Sequence, residues 1–191
     1  MQLDSSQSEI SDIKYAEESS SQSRLKEIEV DFFPIEEAAF NQYKEAASQW
    51  YISADKKSRL YFIPYTDYSI TTAILTAGEI RDKKLLQLLQ AEGIDTNDWD
   101  RAITLEEISS QKGIRLGLEL EEMVEIYGAP ISEKTVGQHQ ILTWEFLMQE
   151  GKKDAEIGGL RPFVLRGLGF SCEMEFKEGK LSQLIYRYDV P

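Results

Sequence analysis

Three features of the sequence predict an α+β fold: an antiparallel sheet in meander order, with short helices packed mainly on one of its faces. The first is a set of alternating runs near the C-terminus. The second is a hairpin pattern at 60–76, and the third is a glycine-bounded helical stretch at 113–130. Together they divide the chain into a tether over 1–24, an α/β half over 25–112, and a helix-plus-meander half over 113–191 sharing its core.

The alternating runs come in three arms. Leu142, Trp144, Phe146 and Met148 form the first; Leu168, Phe170, Cys172, Met174 and Phe176 the second; Leu184, Tyr186 and Tyr188 the third. Period-two apolarity implies strands with one buried face. "KEGK" joins the last two arms, and its Gly179 supplies the positive φ of a tight hairpin. The polar stretch "QEGKKDAEIGGLRP" connects the first arm to the second.

Upstream, "SRLYFIPYTDYSITTAILTA" reads as a hairpin. Leu60 and Phe62 alternate in one arm, Ile70, Thr72 and Ile74 in the other, with Pro64 and Asp67 at the turn. Its likeness to 170–188 raises an internal repeat without residue identity to carry it. Ile28, Val30 and Phe32 alternate as a strand; Pro34 opens a helix over 34–50, with Asp31 as its cap. Ile80, Leu85, Leu88 and Leu89 share a stripe of a helix over 79–92 that Gly93 ends. The stretch after it admits two readings, a helical turn capped by Thr104 and Glu107 or a short strand, of which the turn is preferred.

In "GIRLGLELEEMVEIYGAP", Leu116, Leu120, Met123, Val124 and Tyr127 fall on one helical face. Glu119, Glu121 and Glu122 favour its N-terminal end; Gly128 closes it and Pro130 prevents continuation. Gly113 and Gly117 let the preceding backbone turn tightly onto the sheet.

Composition removes several function classes. The chain of 191 residues carries 21 Lys plus Arg against 34 Asp plus Glu, a formal net charge of −13. Such a surface disfavours nucleic acid and anionic lipid headgroups. One Cys and one His allow neither an internal disulfide nor a Cys- or His-based zinc site. No apolar run of membrane-spanning length occurs, and no signal peptide is visible.

The remaining candidates for chemistry each have a plainer reading. Asp95, Asn97 and Glu106 match calcium-loop positions, but Trp99 and Asp100 occupy the fifth position and the required glycine, leaving an acidic turn. His139 has no Gly-x-Ser-x-Gly elbow to serve and reads as a surface or edge histidine. Cys172 reads as a buried, inert thiol. "RGLGFS" superficially resembles a phosphate loop, yet it lacks a third glycine and a following helix, so Gly167 and Gly169 belong to a strand. Trp50, Tyr51, Tyr61, Tyr65 and Tyr68 read as core rather than as a recognition patch. No catalytic, cofactor-binding or metal-ligating residue is assigned.

The pattern Gly113-Ile114, Gly117, Glu121-Glu122, Val124, Tyr127-Gly128, Pro130, Trp144 and "MEFKEGKLSQL" resembles small bacterial lipoproteins of the SmpA/OmlA type. It is also similar to the β-lactamase inhibitory protein fold, over about residues 113–188. It departs from that pattern at Leu118 and Glu119, where a Ser, Thr or Asp cap is usual. The resemblance implies an extracytoplasmic, lipid-anchored, non-enzymatic protein that binds another protein. The Ser/Gln/Glu-rich 1–24 fits a lipoprotein tether, with Met1 standing where a leader and acylated Cys preceded it. Two other expectations stand beside this one: a ligand-binding or hydrolytic protein using a sheet face, and a cytoplasmic acidic immunity or regulatory partner.

Overall fold

A computed structural model describes residues 27–28, 31–35, 50–64, 69–148, 163–164 and 169–190. The tether, most of the helix over 34–50, Tyr65, Asp67, Tyr68, Leu168, Gly167 and the connection 149–162 lie outside the described residues. Among the described residues ten strands form one sheet: β1 (Glu27–Ile28), β2 (Trp50–Ser53), β3 (Arg59–Pro64), β4 (Ser69–Thr76), β5 (Ala102–Leu105), β6 (Ser132–Val136), β7 (His139–Met148), β8 (Phe163–Val164), β9 (Gly169–Lys177) and β10 (Lys180–Val190). The main path runs β1-β7-β9-β10-β4-β3-β2-β5, with β6 on β7 and β8 on β4. The two described helices are α1 (Lys83–Ala91) and α2 (Leu120–Tyr127).

Two expected hairpins form and meet at the sheet's middle. β3 pairs antiparallel with β4, β9 with β10, and β4 lies antiparallel against β10. In the β9–β10 turn Glu178 and Gly179 both have positive φ, the backbone a tight right-twisted hairpin needs. β7, β9 and β10 form the expected antiparallel set.

The predicted architecture needs correction. The sheet is mixed, because β1 runs parallel to β7, β2 to β5 and β8 to β4. It is not a meander, and its helices do not share a face. Met123 and Tyr127 of α2 pack with Tyr51, Leu60, Phe62, Ala73, Leu75, Leu184 and Tyr186. Leu85 and Leu89 of α1 pack with Trp50, Ile52, Tyr61, Ile63, Ile74 and Ile185. These two sets alternate along β2, β3, β4 and β10, so they lie on opposite faces. The central strands are therefore buried on both sides.

Smaller corrections follow from the same pairing. The stretch 102–105 is the strand β5, not a helical turn, because β2 offers it a parallel partner and the first core takes Ile103. Among the described residues of the early alternation, Glu27–Ile28 is strand and Phe32 is not. The body of the helix that Asp31 was expected to cap lies outside the described residues; Asp31 itself is fully buried. Leu88 and Val124 point outward from their helices instead of joining the buried stripes.

Local sequence explains the helix ends. Asp82 Oδ1 accepts from the Lys84 and Leu85 amides at 2.8 and 3.4 Å, and Gly93 follows α1 at φ 75°. At α2 the Glu122 carboxylate accepts from the Glu119 amide at 2.8 Å, which offsets the missing Ser, Thr or Asp cap.

Candidate functional site

Two places in this framework concentrate polar side chains: a buried carboxylate under the first face, and a polar area on the second that no described helix covers. The first is built around Asp31. The short irregular segment 31–35 lies over the first face, and Phe32, Phe33 and Ile35 are buried with it. Asp31 Oδ2 accepts from Ser110 Oγ at 2.6 Å, Tyr127 Oη at 2.7 Å and Tyr186 Oη at 2.7 Å. Its Oδ1 accepts from the Phe32 and Lys112 amides, each at 3.0 Å. The Asp31 carbonyl accepts from Tyr188 Oη at 3.0 Å, and the two hydroxyls of Tyr127 and Tyr186 lie 2.6 Å apart.

One carboxylate thus ties segment 31–35, the 110–114 turn, α2 and β10 together. Ser110 extends the arrangement, since its Oγ accepts from the Ile114 amide at 3.0 Å. Gly113 at φ 84° lets that turn close. Burial, with the Asp31 carboxylate next in effect, pushes the Tyr127 hydroxyl well above its usual range. Tyr186 is raised by burial and then by Tyr127 and Asp31, and Tyr188 by burial and then by Asp31. Burial raises the Cys172 thiol well above its ordinary value too. The three phenols donate to Asp31, so the centre links the surrounding pieces of core through hydrogen bonds.

The second area lies on the opposite face. α1 covers β2, β3 and β4 there, while the same face of β7, β9 and β10 carries half-buried polar side chains. Cross-strand register sets Thr143 beside Glu173, Ile141 beside Glu175, and Glu145 beside Ser171. On the other side of β9, Gln183 faces Glu175, and Arg187 faces Ser171. Three carboxylates and one guanidinium therefore share about three strands of sheet. Among the described residues, only Glu175 of these acids meets a basic side chain: His139 Nδ1 lies 2.5 Å from its Oε1, close but not aligned as a hydrogen bond.

The residues weighed from sequence fall as follows. His139 begins the edge-proximal strand β7 half-buried, and no described hydroxyl or thiol hydrogen-bonds its ring. Cys172 is fully buried. Asp95 spends a carboxylate oxygen on the Asn97 amide at 2.9 Å, as an acidic turn does. Trp99 leaves that loop to lie over the Arg59 guanidinium, 4.8 Å from its ring centre, with Trp50 5.5 Å away. Among the described residues no group of three or more His, Cys, Asp or Glu side chains is placed to hold a metal. Trp50, Tyr51 and Tyr61 are core, as read. Gly169 opens β9 within the buried sheet.

Asp31 is what the sequence reading missed. The available signal was a lone acid inside an otherwise apolar "VDFFPI", where a carboxylate must find partners or stay out of the core. No family model, no curated protein and no solved structure matches this chain.

Proposed function

We propose that this chain is a non-catalytic, envelope-associated protein that acts by binding another protein through the polar second face of β7, β9 and β10. The observation that carries this reading is the asymmetry of that face. Where α1 lies it is apolar and closed; beyond β10 it presents Glu145, Glu173, Glu175 and Arg187 without a covering helix among the described residues. Carboxylates spaced across neighbouring strands, on a chain of net charge −13, favour a basic partner surface and speed the encounter with it. The resemblance of 113–188 to SmpA/OmlA-type lipoproteins supports the envelope address. No helix among the described residues is long and apolar enough to cross a membrane.

The test places a photo-cross-linking amino acid at Glu173, and separately at the exposed Gln87 of α1, in the natural gene product expressed in its own cell. The expected outcome is one discrete protein adduct from position 173, none from 87, and recovery with the envelope fraction. Recovery in the cytosol removes the address, and equal or absent adducts at the two positions remove the binding face.

A further inference from the structure

At the rim of the second core, one basic side chain and one hydroxyl lack the partners their chemistry calls for. Arg59 opens β3, and Tyr61 follows it on the same face. We propose that Arg59 and Tyr61 form a binding site for an oxyanion, a carboxylate or phosphate group, beneath the exposed indole of Trp99. This site is separate from the polar face of β7, β9 and β10 and does not rest on that reading.

Arg59 supplies the charge. Its guanidinium carbon lies 4.8 Å from the centre of the Trp99 ring and 5.9 Å from that of Trp50. Rings that hold a guanidinium by its flat side leave its fork of N–H donors for an anion. Among the described residues no carboxylate lies within ion-pair distance of Arg59, although the chain holds 34 acids against 21 Lys and Arg. Arg101, two residues beyond Trp99, shows the ordinary outcome, its Nε lying 3.1 Å from an Asp98 oxygen.

Tyr61 supplies the second donor. It is fully buried, and its Oη has no hydrogen-bond partner. Burial raises this phenol above its ordinary range and the Arg59 charge opposes the rise, so the group stays protonated. A buried hydroxyl left unmatched costs free energy that a bound acceptor returns. A phenolic donor beside a guanidinium suits an oxyanion and repels a cation. Trp50 is a fixed wall, 5.4 Å from the Tyr61 ring and hydrogen-bonded through Nε1 to the Asp98 carbonyl at 3.3 Å. Trp99, 49% exposed, is the outer wall. The Tyr61 hydroxyl is closed from solvent, so an anion reaches it as Trp99 swings aside, and the indoles report the event.

The test titrates the full chain with sodium acetate and, separately, with inorganic phosphate. Indole N–H signals are read by NMR against sodium chloride at matched ionic strength. The expected result is a saturable shift of Trp50 and Trp99 that leaves Trp144, hydrogen-bonded to Gly128 in the first core, in place. The anion that saturates at the lower concentration identifies the group bound. Arg59→Met should abolish the shift, and Tyr61→Phe should weaken binding about tenfold, as loss of one hydrogen bond to a charged group does. Without anion, Tyr61→Phe should keep or gain stability in urea, because it removes a hydroxyl that has no partner. No saturable shift with either anion, or an equal shift with chloride, overturns the proposal. So does an Arg59→Met chain that still responds, or a Tyr61→Phe chain that binds as tightly as wild type or is less stable.

Discussion

The first face of the sheet buries Asp31 and the four hydroxyls that donate to it among its rings, whereas the second buries Leu, Ile, Trp50 and Tyr61 under α1. On the first face, direction matters. Ser110, Tyr127, Tyr186 and the Phe32 and Lys112 amides all donate to Asp31, so four separate pieces of chain are fixed by one side chain. On the second, Trp50 Nε1 reaches only the Asp98 carbonyl at 3.3 Å, and Tyr61 has Arg59 beside it without a well-formed hydrogen bond. That core is held by area and shape. A polar centre specifies one arrangement at the risk of large losses when it is broken; an apolar one tolerates change in proportion to volume.

The sharpest way to break this contrast is Asp31→Ala. It strands three buried hydroxyls and two amides, and should cost about 4 kcal/mol, the upper range for removing one member of a buried charged set. Asp31→Asn keeps the shape but turns a donor toward donors, and should cost nearly as much. Urea denaturation measures both. A loss below ~1 kcal/mol would mean that water or neighbouring groups replace the carboxylate, and that segment 31–35 is held by Phe32, Phe33 and Ile35 alone. On the second face, Leu89→Ala should cost about 3 kcal/mol, as an ordinary cavity does. It should leave the near-ultraviolet signal of the tyrosines on the other face unchanged.

High pH separates the two faces in another way. Burial first, then the Asp31 charge, holds Tyr127 and Tyr188 protonated; Tyr186 is raised in the same way, by burial, Tyr127 and Asp31. In the unfolded chain these groups ionise near pH 10. Their stabilisation is thus complete below pH 10 and is lost as pH climbs, by about 1.4 kcal/mol per pH unit for each tyrosine. Tyr61 on the second face is also raised by burial, with Arg59 opposing the shift. The pH-dependent loss of stability above 10 should therefore shrink markedly in Tyr188→Phe. An unchanged slope would show that Tyr188 reaches solvent in the folded chain.

Why the sequence disclosed some of this and hid the rest is a matter of range. β7, β9 and β10 announce themselves because their first face is apolar while, Ile141 and Ile185 apart, their second face is polar, which writes period two into Leu142–Phe146, Phe170–Phe176 and Leu184–Tyr188. α2 was legible from Gly117, Met123, Tyr127 and Gly128. The second face was available too, though unread: Leu60-Tyr61-Phe62-Ile63 and Ala73-Ile74-Leu75 are continuous apolar runs, which only two-sided burial favours. β5 was misread because Thr104 and Glu107 imitate a capping box, while its real partner, β2, lies far upstream and leaves no local mark. The polar centre depends on side chains at 31, 110, 127, 186 and 188, which no local spacing connects.

The smallest expected effect lies at the rim of the second core. Trp99 is 49% exposed, yet it stacks over Arg59 at 4.8 Å and meets Trp50 edge-on at 5.5 Å. An exposed cation–π contact and one aromatic pair together are worth roughly 1 kcal/mol, so Trp99→Ala should lose about that much. The decisive number is the coupling, not the loss. In a double-mutant cycle with Arg59→Met, the interaction term should be about 0.5 kcal/mol if the guanidinium–ring contact holds the loop down. A coupling of zero would assign the whole effect to Trp50 packing. The second face would then be held by apolar contact right to its margin, which would sharpen its difference from the face organised by Asp31.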